Sequence, residues 1–219
     1  MLQAYILITM STAESYKVIT ENGSGEIVEK KSRFIANVFY VENAKEAEEK
    51  IAEISKKYWD ARHNCYAYVI GSGKEITKCS DNGEPSGTAG KPILEVINGS
   101  GITNILIIVT RYFGGVLLGT GGLVRAYTQA AQAGIEGSTV GEMVLARELT
   151  LEVAYNMVNN VQYFLAQNDI QIKDSVYEAN VRFIICVKAS ELEKIKSGLT
   201  QKTEGQITIS EGPEGYFPF

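Results

Sequence analysis

The stretch Arg111-Tyr-Phe-Gly-Gly-Val-Leu-Leu-Gly-Thr-Gly-Gly-Leu-Val-Arg-Ala-Tyr127 decides the local fold, because five glycines separate a buried strand from a helix. Residues Ile105 to Val109, just upstream, are uninterrupted aliphatic sequence, which indicates a strand covered on both faces. Downstream, apolar residues recur at three-and-four spacing from Leu123 to Gly134, as on the buried side of a helix. The pattern predicts that the glycines open this helix.

The same stretch has the features of an anion-binding loop. A helix start leaves N–H groups unpaired and partially positive, and glycines let a phosphate or carboxylate approach them. Arg111 and Arg125, at the two ends, would add charge. However, the sequence contains neither a Gly-Lys-Ser/Thr nor the third glycine of the dinucleotide fingerprint, so no motif indicates nucleotide binding. The structural alternative is that the glycines supply positive φ angles and close packing of helix on strand.

Composition limits the class of protein. The 219 residues, 45% of them apolar, suffice for one large domain or two small ones. With 21 Lys and Arg against 26 Asp and Glu, the net charge is −5, so any polyanion binding is expected to be focal. Three widely spaced cysteines, Cys65, Cys79 and Cys186, suit reduced thiols in the cytoplasm better than a disulfide framework.

The N-terminus is apolar from Met1 to Met10. This segment is too short to span a bilayer and lacks a basic leader and a small-residue cleavage site. We therefore expect a cytoplasmic protein without a membrane association. Met10 is a second candidate start of translation.

Residues 1–139 are predicted to form a first domain. Patterning and turn residues predict strands at Tyr16 to Thr20, Gly25 to Lys31 and Phe34 to Tyr40, a helix capped by Asn43 and Glu46, strands at Asn64 to Ile70 and Glu75 to Cys79, and a short helix from Pro92 to Ile97. The aliphatic strand and the glycine-led helix complete this domain.

Residues 140–219 are predicted to form a second domain. The expected order is strand (Met143 to Val153), helix (Asn156 to Gln167), strand (Ile170 to Tyr177), strand (Asn180 to Lys188), helix (Ser190 to Leu199) and strand (Gln206 to Ser210). This is the order of a split β-α-β, or ferredoxin-like, domain, and it gives the whole chain an α+β fold class. The last eight residues, ending at Phe219, show no periodicity and are expected to be irregular or to dock on their aromatic rings.

The segment Asp60-Ala-Arg-His-Asn-Cys-Tyr-Ala-Tyr68 contains the only histidine, His63, two residues before Cys65. On a strand the two side chains would share a face, where they could lower the thiol pKa or bind zinc with Cys79. No further histidine or Cys-x-x-Cys pair completes a zinc site, and a small buried thiol in an apolar strand is the alternative. We predict no metal site and no cofactor, and the sequence identifies no catalytic residue.

A long polar loop follows Cys79. It offers several side chains that could ligate a hard cation or help to hold a phosphate, namely Asp81, Glu84, Ser86, Thr88 and Lys91. The alternative is that these residues supply the hydrogen bonds of turns. Long ordered loops are more often functional than purely connecting, so we expect this loop to face the glycine-rich stretch.

Three segments together, residues 60–68, 81–93 and 110–127, resemble the IMPACT/YigZ family. The resemblance covers about Glu26 to Gly134, and the remainder is similar to the small C-terminal domain of bacterial two-domain members. One departure is Val116-Leu117-Leu118, which stands where a lysine is usual before Leu-Gly. One basic side chain is therefore missing from the predicted anion site.

The resemblance implies an N-terminal domain of the fold shared with a small-subunit ribosomal protein domain and with domain IV of elongation factor G. A ferredoxin-like domain similar to that factor's last domain would follow. Eukaryotic relatives temper starvation signalling by competing for a protein partner, through an additional domain for which this chain has no room, so that role is not expected here. For bacterial members the resemblance implies RNA or ribosome contact, and no settled reaction.

The favoured hypothesis is a cytoplasmic, non-enzymatic, translation-associated protein that binds RNA or the ribosome through the glycine-rich loop. The residues predicted to contact phosphate or bases are Arg62, His63, Lys91, Arg111, Tyr112, Phe113, Gly114, Gly115, Gly119, Gly121, Gly122 and Arg125. One alternative is an enzyme acting on a small phosphorylated or carboxylated ligand, with Asp81, Glu84 or His63 as acid-base groups. Another is a protein-interaction module that uses the edge of the C-terminal sheet. The oligomeric state is not predicted.

Overall fold

The computed structural model of the chain describes residues 14–219. The apolar segment from Met1 to Met10, and with it the question of the translation start, lies outside the described residues. The chain divides into two compact units between Glu142 and Met143. Both contain antiparallel strands and helices, which confirms the predicted α+β class. In the described part no helix is long and apolar enough to cross a membrane.

The first unit is built on a five-stranded antiparallel sheet. The elements of this unit are β1 (Ser15–Glu21), β2 (Gly23–Glu29), β3 (Ser32–Tyr40), α1 (Ala44–Lys57), β4 (His63–Ile70), β5 (Ile76–Ser80), α2 (Gly90–Ser100), β6 (Ile105–Tyr112) and α3 (Gly119–Glu136). Strand β1 is not part of this sheet. The strand order is β2-β3-β6-β4-β5, so the aliphatic strand β6 is central. Ile107 and Val109 pack in the cluster that includes α2 and α3, and Leu106 and Ile108 in the cluster that includes α1. Burial on both faces explains the lack of alternation in β6.

The observed helix starts agree with the predicted ones for α1 but not for α2. Asn43 caps α1 as predicted, since its side chain accepts a hydrogen bond from the Glu46 N–H at 3.0 Å. Helix α2 is longer than predicted and begins at Gly90 instead of Pro92. The reason is a non-local cap, because the carboxylate of Asp81 accepts the N–H groups of Ala89 and Gly90. The local sequence pattern around α2 cannot predict a cap by Asp81, which precedes Gly90 by nine residues.

The second unit follows the predicted element order. Its elements are β7 (Thr139–Val153), α4 (Val158–Gln167), β8 (Ile172–Tyr177), β9 (Val181–Lys188), α5 (Leu192–Lys202) and β10 (Ile207–Pro218). The strand order is β10-β7-β9-β8 and every pair is antiparallel. Residues from α4, α5 and the strands share one apolar cluster. Strand β7 starts before the division at Glu142.

The C-terminal tail is a strand, which was not predicted, but its aromatic rings dock as one of the two alternatives expected, with Lys173 and Lys188 at 4.2 and 5.4 Å from the ring centres of Phe217 and Phe219. It continues β10 as a strand to Pro218 and pairs with β7, with Phe217 opposite Val144. The register shifts between Glu211 and Glu214, and Arg147 binds both carboxylates. Backbone pairing does not require apolar alternation, which is why the strand was not detectable from the sequence.

Candidate functional site

One end of the five-stranded sheet brings the three motif segments together. We call it the loop end, defined by Glu29, Ser32, His63, Ser80 and Tyr112, the terminal residues of β2 to β6 there. The register places Arg33 opposite Tyr112, and His63 opposite Arg111. Helix α2 begins against Ser80, and α3 begins after the loop that leaves Tyr112. The predicted meeting of the polar loop with the glycine-rich stretch is thus observed at this end.

Arg111 lies inside the loop end in a buried ion pair. Its guanidinium donates to Glu84 at 2.7 Å, and only 7% and 3% of the two side chains is exposed. The hydroxyl of Tyr127 donates to the same carboxylate oxygen at 2.8 Å. The rings of Phe34 and Phe113 have their centres 5.4 and 5.6 Å from the guanidinium carbon of Arg111. This pair joins the polar loop to the central strand.

The position of Arg111 differs from the expectation for a phosphate ligand. Its side chain is committed to Glu84 and covered by aromatic rings, because β6 is the central strand and is covered on both faces. Glu84, expected either in a turn or as an acid-base group, is the buried partner of this arginine. We therefore assign both residues to the support of the site and not to its surface.

Cys65 and His63 do not form the conceivable catalytic pair. The Cys65 sulfur lies 2.9 Å from the carbonyl oxygen of Asp81 and 3.3 Å from the hydroxyl of Tyr127. Burial raises the pKa of the Cys65 thiol to about 12, and burial also raises the pKa of Tyr127. The Nδ1 of His63 lies 2.9 Å from the carbonyl oxygen of Asn82, a bond that requires the proton on Nδ1. Cys65 is a protonated core thiol at neutral pH.

The polar loop satisfies its own hydrogen bonds. The Asp81 carboxylate accepts three backbone N–H groups, from Gly87, Ala89 and Gly90, at 2.8–3.0 Å. Burial raises the pKa of Asp81, but the three hydrogen bonds together outweigh burial and hold it below its ordinary value. Thr88 donates to the carbonyl of Pro85 at 2.6 Å. These contacts favour the turn role of the loop.

Two further members of the loop, Ser86 and Lys91, are exposed. Within residues 14–219 no group of three or more His, Cys, Asp or Glu side chains could hold a metal ion.

Some glycines of the glycine-rich loop are required by close packing or by positive φ angles, and others border free space. Gly114 donates its N–H to Ser32, and a Cβ at this position would lie 2.0 Å from the carbonyl carbon of Lys31. Gly115 and Gly119 have φ angles of 83° and 70°. By contrast, a Cβ on Gly121 would meet nothing within 4 Å, and Leu118, the N-cap of α3, makes no side-chain cap. The first turn of α3 therefore has free space beside Gly121 and no side-chain cap.

Exposed cations lie in the segments that meet at the loop end. Arg62, Lys91 and Arg125 are exposed and make no ion pair with any residue of the described range, and His63 is half-buried. Arg125 lies with Glu29 and Gly122 around a small cavity. The sequence missed Lys30 and Lys31, which form the turn between β2 and β3 beside Gly114. A signal was available in the sequence, because two adjacent lysines between two predicted strands indicate a positively charged turn.

Apolar side chains are exposed among these cations. Phe113 is 52% exposed and Leu117 is 84% exposed. Tyr112 is half-buried and its hydroxyl donates to Asp60 at 2.8 Å. The segment from Val116 to Leu118 is thus apolar, with Val116 and Leu117 exposed and Leu118 half-buried. The loop end offers aromatic and aliphatic contacts as well as positive charge.

Comparison with family profiles identifies both halves of the chain. Residues 30–135 match the Impact N-terminal domain, and residues 151–206 match a domain of unknown function (DUF1949). A solved structure described as the crystal structure of a hypothetical protein superposes with a TM-score of 0.60 and 32% identity. It covers 90% of this chain and 97% of that one.

Curated bacterial relatives that are similar over most of the chain are named as IMPACT family members. IMPACT family member YvyE of Bacillus subtilis is 40% identical, covering 92% of this chain and 93% of that protein. IMPACT family member YigZ of Escherichia coli is 34% identical, over 82% and 89% respectively. Protein IMPACT of Mus musculus is 33% identical, but over only 42% of this chain and 30% of that protein. The chain therefore belongs to the IMPACT family.

Proposed function

We propose that this protein acts in translation in the cytoplasm by binding RNA, in particular ribosomal RNA, through the loop end. The observation that supports this most is the coincidence of exposed cations without an ion pair among residues 14–219, a helix start without a side-chain cap and an exposed aromatic ring at one end of the sheet. Arginine and lysine side chains and helix N-termini are the usual partners of nucleic-acid phosphates. Exposed aromatic rings are the usual partners of unpaired bases.

The charge distribution is compatible with this proposal despite the net charge of −5. Five exposed cations of the loop end make no ion pair with a described residue, namely Arg62, Lys91, Arg125, Lys30 and Lys31, and a sixth, Arg33, is paired with Glu26. Two acidic residues nearby reduce the local charge, Glu29 beside Arg125 and Asp60 at the hydroxyl of Tyr112. A focal cationic surface on an acidic protein favours a specific docking position over general coating of RNA.

The small-ligand enzyme is less well supported by the geometry. Of its three acid-base candidates, Glu84 is ion-paired to Arg111 and Asp81 is bound to three backbone N–H groups. The third, His63, has its Nδ1 on the carbonyl oxygen of Asn82. General acid-base catalysis generally needs groups that can exchange a proton with a ligand, and two of the three are committed to the fold.

Ribosome co-sedimentation across a salt series tests the proposal. The variant Arg62→Ala/Arg125→Ala removes two exposed cations of the loop end. The control Lys45→Ala/Lys56→Ala removes two exposed cations from α1, which packs on the opposite face of the sheet. We expect binding to weaken with salt and in the first variant, because each lost phosphate contact removes counterion release. Melting curves establish that both variants fold.

Binding that is indifferent to salt, or equally weakened in both variants, contradicts the proposal. Arg111→Ala is unsuitable for this test, because it leaves Glu84 buried without its partner. If wild-type protein does not bind ribosomes or RNA at all, a melting-temperature screen with phosphorylated and carboxylated metabolites tests the enzyme alternative.

A further inference from the structure

We infer that the loop end takes single-stranded RNA in preference to duplex RNA, with Phe113 as a base-stacking surface and the Lys30-Lys31 turn as a backbone contact. The inference rests on the proposed function and specifies its ligand. It depends on three features of the described residues: an aromatic ring held in place, cations on both sides of that ring, and a strained turn that carries lysines.

Phe113 is both exposed and anchored. It follows the central strand β6 and is 52% exposed. Its ring centre is 5.6 Å from the guanidinium carbon of Arg111, which the buried carboxylate of Glu84 fixes. An aromatic ring that is already ordered loses little entropy when a base stacks on it. The bases of a duplex are stacked within the helix, so only a single strand can offer a base to this ring.

Cations lie on both sides of Phe113 along the end of the sheet. The Lys30-Lys31 turn joins β2 to β3, and β3 neighbours β6, which ends just before Phe113. Arg62 precedes β4, the neighbour of β6 on its other side. With strands about 4.8 Å apart, the turn and Arg62 are separated by roughly 12 Å of sheet. A chain of several nucleotides is long enough to contact both cations while it crosses the ring between them.

The Lys30-Lys31 turn is conformationally costly. Lys30 has a φ of 45° and Lys31 a φ of 67°, both in the left-handed region. A two-residue hairpin turn with both angles positive favours Asn-Gly, and lysine gains nothing from it. Neither lysine makes an ion pair with any described residue, and the backbone of Lys31 lies against Gly114. Strain that brings two free charges to the edge of the loop points to a ligand that uses them.

Fluorescence anisotropy with labelled RNA tests the inference. The probes are an RNA strand of about 12 nucleotides and the same strand annealed to its complement, each titrated at several salt concentrations. Three variants of the full chain are compared with wild type. Phe113→Leu keeps apolar cover over Arg111 but removes the ring, Phe113→Tyr keeps the ring, and Lys30→Asn/Lys31→Gly removes both charges while giving the turn its preferred residues.

We expect wild type to bind the single strand at least about tenfold more tightly than the duplex. Phe113→Leu should lose about fivefold to a hundredfold in affinity for the single strand, while Phe113→Tyr stays near wild type. Lys30→Asn/Lys31→Gly should fold normally and reduce the slope of log affinity against log salt by about 1.4, the amount for two phosphate contacts of a single strand.

Two results overturn the inference while leaving the proposed function intact. One is equal, salt-dependent affinity for duplex and single strand. The other is single-strand binding that Phe113→Leu does not weaken. If wild type binds neither probe nor ribosomes, the proposed function fails and this inference fails with it.

Discussion

The interior and the surface of the loop end use the same residue types for different purposes. Arg111 and Arg125 frame one glycine-rich stretch, yet Arg111 is 6% exposed and ion-paired, whereas Arg125 is exposed without an ion-pair partner in the described range. The difference comes from position, because Arg111 lies within the central strand, one residue before its end, and Arg125 is on the exposed side of α3. A charge inside must be paired to be tolerated, and a charge outside is available to a ligand.

Two ion pairs show how strongly burial matters. Arg111 with Glu84 and Arg33 with Glu26 have similar distances, 2.7 and 2.6 Å. The side chains of the second pair are 52% and 41% exposed, however. Water solvates a charge left behind in the second pair but not in the first, so removal of the arginine should have different consequences for stability.

The largest effect is expected for Arg111→Ala. It leaves the Glu84 carboxylate buried without its partner and should lower the free energy of unfolding by roughly 3–5 kcal/mol, measured by urea denaturation. The matched control Arg33→Ala should be hard to distinguish from wild type, because its partner Glu26 is solvated. Equal destabilisation by the two variants would contradict the assignment of Arg111 to the support of the site.

Thiol reactivity should divide the cysteines in the same way. Cys65 is buried with a pKa raised to about 12, and Cys79 is exposed. At pH 8 only about one in ten thousand thiols with a pKa near 12 is ionised, and the thiolate is the reactive form, so Cys65 should react far more slowly than the exposed Cys79. The measurement is labelling with a thiol reagent followed by peptide mapping, in native buffer and in urea. Rapid labelling of native Cys65 would contradict this prediction, because it would show that the interior of the loop end opens to solvent.

Asp81→Asn should have a smaller, pH-dependent effect. The Asp81 carboxylate caps α2, and its loss should cost about 1 kcal/mol at neutral pH. The folded-state pKa of Asp81 is lowered below its ordinary value of 3.8, so its contribution is present above that pH and is lost as the pH falls through the folded pKa. Urea denaturation of wild type and variant at several pH values should therefore show the gap closing in acid. A constant gap would mean that the charge of Asp81 is not what stabilises the cap.

The smallest effect on stability is expected at the surface. Arg62→Ala/Arg125→Ala should melt within about 2 °C of wild type, since neither arginine has an ion-pair partner among residues 14–219. Differential scanning fluorimetry measures this directly. A large loss of stability would mean that these side chains support the fold, and the comparison between interior and surface would then lose its basis.

Sequence patterning predicted the elements better than the site. The aliphatic run of β6, the capped start of α1 and the glycine-led helix α3 were predicted because each follows from local spacing. The cap of α2 and the strand at the C-terminal tail were not, because both depend on partners distant in the sequence. The Lys30-Lys31 turn was missed because two lysines are unusual where both φ angles are positive.

The sequence by itself determined the fold class, the family and the residue types of the candidate site, since these are carried by periodicity and by motifs of contiguous residues. Only the tertiary structure decided which charged side chains are available to a ligand. Whether an arginine is free depends on the carboxylates that the fold brings near it and on the layers that cover it. Arg111 and Glu84 are 27 residues apart in sequence and 2.7 Å apart in space, and no local pattern encodes that contact.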